Sequence, residues 1–159
     1  MKKLLITLKS ALAVCLFAFI FASCSKEETN KDLLGTWIFR EVNMIVYLDG
    51  KMFNMKEEGV DLTEFNERFR GLSLDFSAEH IVMRMMMGEP SPPIPYSVSG
   101  DIVTIRDNYV RIIWRYKVVG KTLELIWTRD MMEVMMGRLP DEYYELDDVE
   151  LILLFNKVI

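Results

Sequence analysis

Histidine is almost absent from this chain: His80 is the only one among 159 residues. A nucleophile–histidine–acid triad needs a histidine as its base, and histidine-rich metal sites need several, so both kinds of site are excluded. No glycine-rich phosphate-binding loop occurs. The adjacent carboxylates Asp147 and Asp148 match no calcium-loop spacing, and we interpret them as a solvated turn. The sequence therefore predicts no enzymatic activity, no catalytic residue, no cofactor and no metal site.

Cysteine is almost as rare, and neither of the two cysteines is expected to serve the folded domain. Lys2, Lys3 and Lys9 precede an apolar or small run at 11–22, which is the pattern of a secretory signal. A bilayer-spanning helix needs about 20 apolar residues, more than this run provides, so an export signal is favoured over a permanent helix. Cys15 lies inside the signal and leaves with it. The mature chain then has no disulfide and depends on its apolar core.

The other cysteine, Cys24, follows Phe21-Ala22-Ser23, and this junction resembles the lipobox of bacterial lipoproteins. The resemblance implies a signal peptide at 1–23 and a Cys24 that is acylated on sulfur and nitrogen, which holds the protein in a lipid membrane. More than one acyl chain gives stable anchoring, at about 0.8 kcal/mol for each buried methylene. The alternative is an exported protein with a free cysteine.

The segment after the junction, 24–32, is predicted to be a flexible tether, because its polar residues cannot bury enough surface to become ordered. Ser25-Lys26-Glu27-Glu28 resembles the acidic surface-export signal of lipoproteins from Bacteroides-type bacteria. That resemblance implies an outer-membrane lipoprotein exposed at the cell surface. An ordinary charged spacer is the alternative.

Basic residues are outnumbered, with 19 lysines and arginines against 24 aspartates and glutamates. Removal of the signal takes away three lysines and leaves a formal charge of −8 on 136 residues. Nucleic-acid binding needs clustered lysine and arginine for phosphate contacts, so no nucleic-acid partner is expected. A chain of this length is sufficient for one domain with one core.

Alternating apolar and polar residues predict a β-domain at 33–159. Strands are expected at 33–48, 51–55, 72–76, 81–87, 96–99, 102–106, 110–119, 123–127 and 149–159. Asp49-Gly50 has the composition of a tight hairpin turn, because both residues tolerate positive φ. With about eight strands, short turns and no parallel crossover, the predicted fold class is all-β, an up-and-down antiparallel barrel with one or two short helices. An open sandwich is the alternative.

The two predicted helices interrupt the strands. The first begins at Asp61, an N-cap candidate with Glu64 at the capping-box spacing. The second is predicted to be capped by Asp130 with Glu133 reaching back, and it is expected to lie over the barrel mouth. Its apolar face carries four methionines: Met131, Met132, Met135 and Met136.

Gly35-Thr36-Trp37 resembles the Gly-x-Trp motif that opens the first strand of lipocalins. In that family the tryptophan packs across the barrel floor against a basic residue near the end of the last strand, and Lys157 stands at that position. With the strand meander and the lipobox, the chain resembles a lipocalin-like lipoprotein of the Bacteroides group over 33–159. The resemblance implies Gly35, Trp37 and Lys157 as structural residues and a barrel interior that holds a small apolar ligand.

Methionine is abundant, with 12 in the chain and two clusters at 83–87 and 131–136. Three interpretations stay open: packing of irregular apolar space, an adaptable apolar pocket, and cuprous-ion binding through thioethers. Strand alternation directs one side of 81–87 and of the hairpin 110–127 to a common interior. The candidate ligand-binding residues are therefore Met83, Met85, Met87, Trp114, Tyr116, Leu125 and Trp127. The alternative function is a structural or interaction lipoprotein with a packed barrel and no ligand.

Overall fold

A computed structural model describes residues 31–85, 88–106 and 111–158. The predicted signal at 1–23, the predicted acylation site Cys24 and the candidate Met87 lie outside the described residues. Within them the strands are β1 (Gly35–Leu48), β2 (Lys51–Asn54), β3 (Ser73–Phe76), β4 (His80–Arg84), β5 (Ile94–Ser99), β6 (Ile102–Arg106), β7 (Arg111–Val119), β8 (Thr122–Thr128) and β9 (Asp148–Lys157). The helices are α1 (Thr63–Phe69) and α2 (Arg129–Met136), with a 3-10 turn at Asp141–Tyr144. Of the helices in this part of the chain, none has the length and apolarity to cross a membrane.

Eight of the strands form a closed antiparallel barrel, which confirms the predicted fold class. From β3 to β9 each strand pairs with the next one along the chain, and β1 closes the barrel by pairing with β3 and with β9. The seam between β1 and β9 runs from Trp37 opposite Lys157 to Tyr47 opposite Asp148. Closure pairs β9, the last strand of the barrel, with β1, so β9 presents no free edge to another chain. Strand β2 stands outside the barrel and extends only the second half of β1.

The hairpin predicted at Asp49-Gly50 joins β1 to β2. The φ angles of Asp49 and Gly50 are 51° and 68°, the left-handed values that a two-residue hairpin turn requires. The Gly50 N–H donates to Asp147 Oδ2 at 2.9 Å. Asp147 therefore fastens the tip of this hairpin to the loop before β9, a role that the sequence did not indicate.

Strand β1 changes its partner half-way along, and helix α1 covers the gap. On one side of β1, residues 35–38 pair with β3 and residues 45–48 pair with β2. On its other side β1 pairs with β9, and a β-bulge between Phe39 and Glu41 shifts that register. In this gap the Val42 N–H donates to Asn66 Oδ1 at 2.8 Å, and Asn66 Nδ2 donates to Leu62 O at 3.0 Å. A side chain of α1 thus supplies the acceptor that a neighbouring strand would otherwise provide.

Asn66→Ala is expected to lower the free energy of unfolding by about 1–3 kcal/mol, because it leaves the half-buried Val42 N–H without its acceptor. Urea denaturation followed by tryptophan fluorescence measures the change. Asn156→Ala is the matched control, since Asn156 is exposed on β9 and its loss should change stability by less than about 0.5 kcal/mol. Equal effects of the two substitutions would mean that the Asn66 bond adds nothing to the barrel.

Helix α1 begins one residue later than the sequence predicted, and α2 begins elsewhere than predicted. The position before α1 is Leu62, but the side chain of Asp61 accepts a hydrogen bond from the Thr63 N–H at 2.9 Å, so Asp61 bonds the start of α1 as predicted. Helix α2 follows Thr128, the last residue of β8, so Asp130 lies in the first turn. Glu133 accepts a hydrogen bond from the hydroxyl of Tyr144 in the 3-10 turn and does not reach back to the helix start. The capping prediction for α2 was wrong because β8 runs directly into this helix, so the end of the sheet sets the boundary and the local motif does not.

The strand register defines two ends of the barrel. Strand β9 ends at Lys157 beside Trp37 of β1, and we call this the Trp37 end. Strand β8 runs antiparallel to β9 and reaches the opposite end at Thr128, where α2 begins; we call this the helix end. Strand β4 also runs toward the helix end. Gly35, at the Trp37 end, pairs with the last residue of β3, whereas the last residue of β4, Arg84, pairs with the first residue of β3, Ser73.

Candidate functional site

An interior cavity of about 460 Å³ lies within the barrel. Among the described residues, Arg68 of α1 is the one charged residue in its wall. The other lining residues are apolar: Phe69, Leu72, Leu74, Met83, Met85, Trp114, Leu125, Trp127, Met135, Met136, Leu153 and Phe155. The cavity opens at the helix end, because two of these residues are partly in solvent, Met85 at 49% and Met135 at 39% exposure. From there the wall extends down to Leu74, which pairs with Trp37.

Five of the seven candidate ligand-binding residues line this cavity: Met83, Met85, Trp114, Leu125 and Trp127. Tyr116 is buried but is not part of the wall, and its hydroxyl donates to Gly100 O at 3.2 Å. Met87 lies outside the described residues. Alternation correctly places Trp114 and Tyr116 on one face of β7, but it does not indicate where along the strand the cavity ends.

Sequence reasoning did not include the lining residues that α1 and β9 contribute, but it did expect the methionine face of the second helix to lie over the barrel mouth. Phe69 comes from α1, Leu153 and Phe155 come from β9, and Met135 and Met136 come from α2. A signal for each was present: the apolar face of α1, the apolar alternation of β9 and the second methionine cluster. Only the closure of β9 onto β1 and the packing of both helices bring these residues to the same cavity.

Methionines from both sequence clusters meet at the cavity. Met83 and Met85 belong to β4 and the residue after it, and Met135 and Met136 to the end of α2. Met132 at the start of that helix is fully buried and anchors α2 against the barrel. Methionine side chains are unbranched and adapt their shape readily, so this opening suits guests of differing outline.

The wall beside Met83 is the least paired seam among the described strands. Strands β4 and β5 share only two paired positions, His80 with Pro95 and Ile81 with Ile94. Beyond them Ser91 replaces the strand: its N–H donates to Met83 O at 2.8 Å, and its Oγ accepts from Met83 N at 2.9 Å. This side of the cavity is therefore held by Ser91 and by only two paired strand positions.

Two tryptophans form the central aromatic surface of the cavity. The rings of Trp114 and Trp127 lie stacked, with centroids 6.4 Å apart and planes at 17°. Phe69 of α1 packs edge-on against Trp127, with centroids 5.3 Å apart. The Nε1–H groups of both tryptophans are buried and have no acceptor among the described residues. The cavity therefore has an aromatic wall, and the indole N–H groups of its two tryptophans are buried within the barrel without an acceptor among the described residues.

The residues of the Gly-x-Trp motif lie together at the Trp37 end. Trp37 is fully buried, and its Nε1–H donates to Leu33 O at 2.7 Å. Lys157 Nζ lies 5.0 Å from the centroid of the Trp37 ring. Gly35 has a φ of 112°, and a Cβ there would lie 3.3 Å from Lys157 Cε, so the position favours glycine on both counts. Gly35, Trp37 and Lys157 thus act as one packing unit.

The charged groups around the cavity are few. Arg68 donates to Glu64 Oε1 at 3.0 Å, and both side chains are largely in solvent, so the pair stabilises the mouth only weakly. Deeper in the barrel, burial raises the pKa of Tyr96, whose hydroxyl donates to Ser77 O at 2.7 Å. Among residues 31–85, 88–106 and 111–158, no group of three or more histidine, cysteine, aspartate or glutamate side chains is arranged to hold a metal ion.

Comparisons with protein-family models, with curated proteins and with solved structures found no match to this chain. The functional argument therefore rests on the cavity and on the sequence motifs.

Proposed function

We propose that this protein is an exported, acylated lipoprotein with a lipocalin-like barrel, and that the barrel binds one small apolar ligand in its interior. The observation that carries the binding proposal is the cavity of about 460 Å³, which falls within the range of about 300–1,000 Å³ typical of small-molecule sites. An apolar guest that binds in this cavity leaves water, and each Å² of apolar surface that it buries contributes about 25 cal/mol of favourable free energy.

A structural lipoprotein with a solidly packed barrel is the competing function. Protein interiors packed at the usual density contain few voids larger than a water molecule, which takes up about 30 Å³. The cavity here is many times larger and its wall is almost entirely apolar. Its size and its opening at the helix end favour a binding role over a structural one.

The location of the protein is proposed from its sequence. The apolar run at 11–22 and the small residues before Cys24 support acylation of Cys24 and attachment to a lipid membrane. The acidic residues that follow support an outer-membrane position exposed at the cell surface. The contact of Lys157 with Trp37 supports the lipocalin likeness, because that likeness implies a basic residue against this tryptophan.

The neutral fluorophore N-phenyl-1-naphthylamine is expected to enter the cavity and to gain fluorescence there. Leu125→Trp should weaken its binding about tenfold or more, because the larger ring fills part of the cavity and ~1.4 kcal/mol of lost contact suffices. Ile113→Trp is the matched control, since Ile113 is 44% exposed on β7 and lies outside the cavity wall. Titrations use the full chain carrying Cys24→Ala, so that no acyl chain competes, and near-ultraviolet circular dichroism checks the fold of each variant.

Three results of this titration would contradict binding in the cavity. Absence of any fluorescence gain with the unsubstituted barrel would favour the packed alternative. Equal binding by Leu125→Trp and Ile113→Trp would locate the probe elsewhere. Tight binding of cuprous ion without probe uptake would favour a thioether metal site at the mouth, since soft sulfur ligands select that ion.

A further inference from the structure

The methionines of the described ranges differ widely in their exposure to solvent. At one extreme, Met44 and Met132 are buried in the core. At the other, Met52, Met85 and Met135 are exposed, at 63%, 49% and 39%. The thioether sulfur of methionine becomes a sulfoxide when an oxidant reaches it, so exposure decides which of these side chains is modified first.

Two of the three exposed methionines belong to the wall of the cavity. Met85 follows β4 and Met135 lies in the last turn of α2, so two separate elements each place a thioether at the opening at the helix end. Met52 lies on β2, which stands outside the barrel, and it does not line the cavity. Oxidation of Met85 and Met135 therefore changes the mouth of the cavity, whereas oxidation of Met52 leaves the wall as it is.

The chemical step adds one oxygen atom to each exposed sulfur. With hydrogen peroxide, the O–O bond breaks, a bond forms between one oxygen and the methionine Sδ, and the other oxygen leaves as water. The sulfur is oxidised by two electrons and the peroxide is reduced by two. Methionine sulfoxide reductases reverse the change, so a side chain modified in this way can return to the apolar form.

A sulfoxide at the mouth is unfavourable for an apolar guest. The lining residues other than Arg68 are apolar, and Arg68 is already paired with Glu64. A guest that packs against a sulfoxide removes water from its oxygen and offers that oxygen no hydrogen bond in return, which costs free energy. Thioethers at the same two positions carry no such cost, because they are apolar and adapt to the outline of the guest.

We propose that Met85 and Met135 form an oxidation site at the mouth of the cavity, and that their conversion to sulfoxides by a peroxide releases the apolar guest. The release rests on the proposed binding function. The order in which the methionines are oxidised does not, because it depends only on their exposure.

The first measurement follows the order of oxidation in the full chain carrying Cys24→Ala. The protein is treated with dilute hydrogen peroxide for increasing times and digested, and mass spectrometry of the peptides locates each added oxygen. Met85 and Met135 are expected to gain oxygen before the buried Met44 and Met132, together with the exposed Met52. Oxidation of Met85 and Met135 no faster than that of Met132 would overturn the assignment of the site.

The second measurement compares the affinity for N-phenyl-1-naphthylamine before and after the peroxide treatment. Oxidation is expected to weaken binding about tenfold or more, the effect of burying one polar oxygen without a partner. Methionine sulfoxide reductases for both sulfoxide epimers, with dithiothreitol as the reductant, should restore the affinity. Near-ultraviolet circular dichroism checks that each oxidised sample keeps its fold.

The double variant Met85→Leu with Met135→Leu keeps apolar side chains at the mouth and removes both sulfur atoms. Its affinity for the probe should be the same before and after peroxide, whereas the matched control Met52→Leu should lose affinity on oxidation as the unsubstituted chain does. Equal sensitivity of these two variants, or unchanged affinity of the unsubstituted chain once both sites carry oxygen, would overturn the release and leave the binding function intact. Failure of the untreated chain to bind the probe would overturn the binding function itself, and the order of oxidation would still decide whether Met85 and Met135 are the modified residues.

Discussion

Replacing Trp37 with alanine is expected to lower the free energy of unfolding by about 3–5 kcal/mol, a large share of the stability of a small domain. The side chain is fully buried, and its loss leaves both a cavity and a Leu33 carbonyl without its donor. Lys157→Ala should have a smaller effect, about 0.5–2 kcal/mol, because it removes mainly the cation that lies 5.0 Å from the ring centroid.

Urea denaturation followed by far-ultraviolet circular dichroism compares these variants without depending on tryptophan emission. Ile38→Ala is the matched control, since Ile38 is the next residue of β1 and is 48% exposed. Trp37→Phe should fall between the control and Trp37→Ala, because it keeps a ring but loses the donor. A midpoint for Trp37→Ala equal to that of Ile38→Ala would refute the role of Trp37 as the anchor of this end.

Cys24→Ala is expected to move the protein from the membrane fraction to the soluble fraction. If Cys24 carries the acyl chains, its replacement removes every buried methylene that holds the chain to the bilayer, at about 0.8 kcal/mol for each. Cell fractionation and immunoblotting measure the distribution. Cys15→Ala is the matched control, because Cys15 lies inside the predicted signal and its replacement should leave the protein in the membrane.

The mass of the purified protein provides an independent measurement of the same prediction. The mature chain is expected to begin at Cys24 and to carry the added mass of its acyl groups, which Cys24→Ala should abolish. Retention of Cys24→Ala in the membrane fraction, as firmly as the unsubstituted protein, would argue against the lipoprotein proposal.

Local sequence patterns correctly predicted the parts of the fold that local chemistry decides. Alternation with period two identified the strands, since successive side chains of a strand point to opposite faces. Asp49-Gly50 identified the hairpin, because its turn requires positive φ at both residues. The same alternation selected Trp114, Leu125 and Trp127 for the interior, where all three line the cavity.

Contacts between distant segments decided what these patterns left open. No motif indicated that β1 would pair with three different strands, or that Asn66 would serve the gap at Val42. The predicted cap Asp130 was wrong because β8 runs directly into α2, so the end of the sheet determined where this helix starts. Tyr116 shares a strand face with Trp114 but lies away from the cavity.

The sequence by itself determined the all-β class, the succession of strands along the chain and the inward face of the hairpin strands, because these depend on neighbouring residues in the chain. The export and acylation signal is a prediction of the same local kind. Only the tertiary structure decided which side chains line the cavity that opens at the helix end. A void is the volume left over after side chains from many segments have packed, and no single segment encodes it. The same holds for the buried Nε1–H groups of Trp114 and Trp127. Whether such a group meets an acceptor depends on which side chains from other strands and helices pack around it, and no acceptor does so among the described residues.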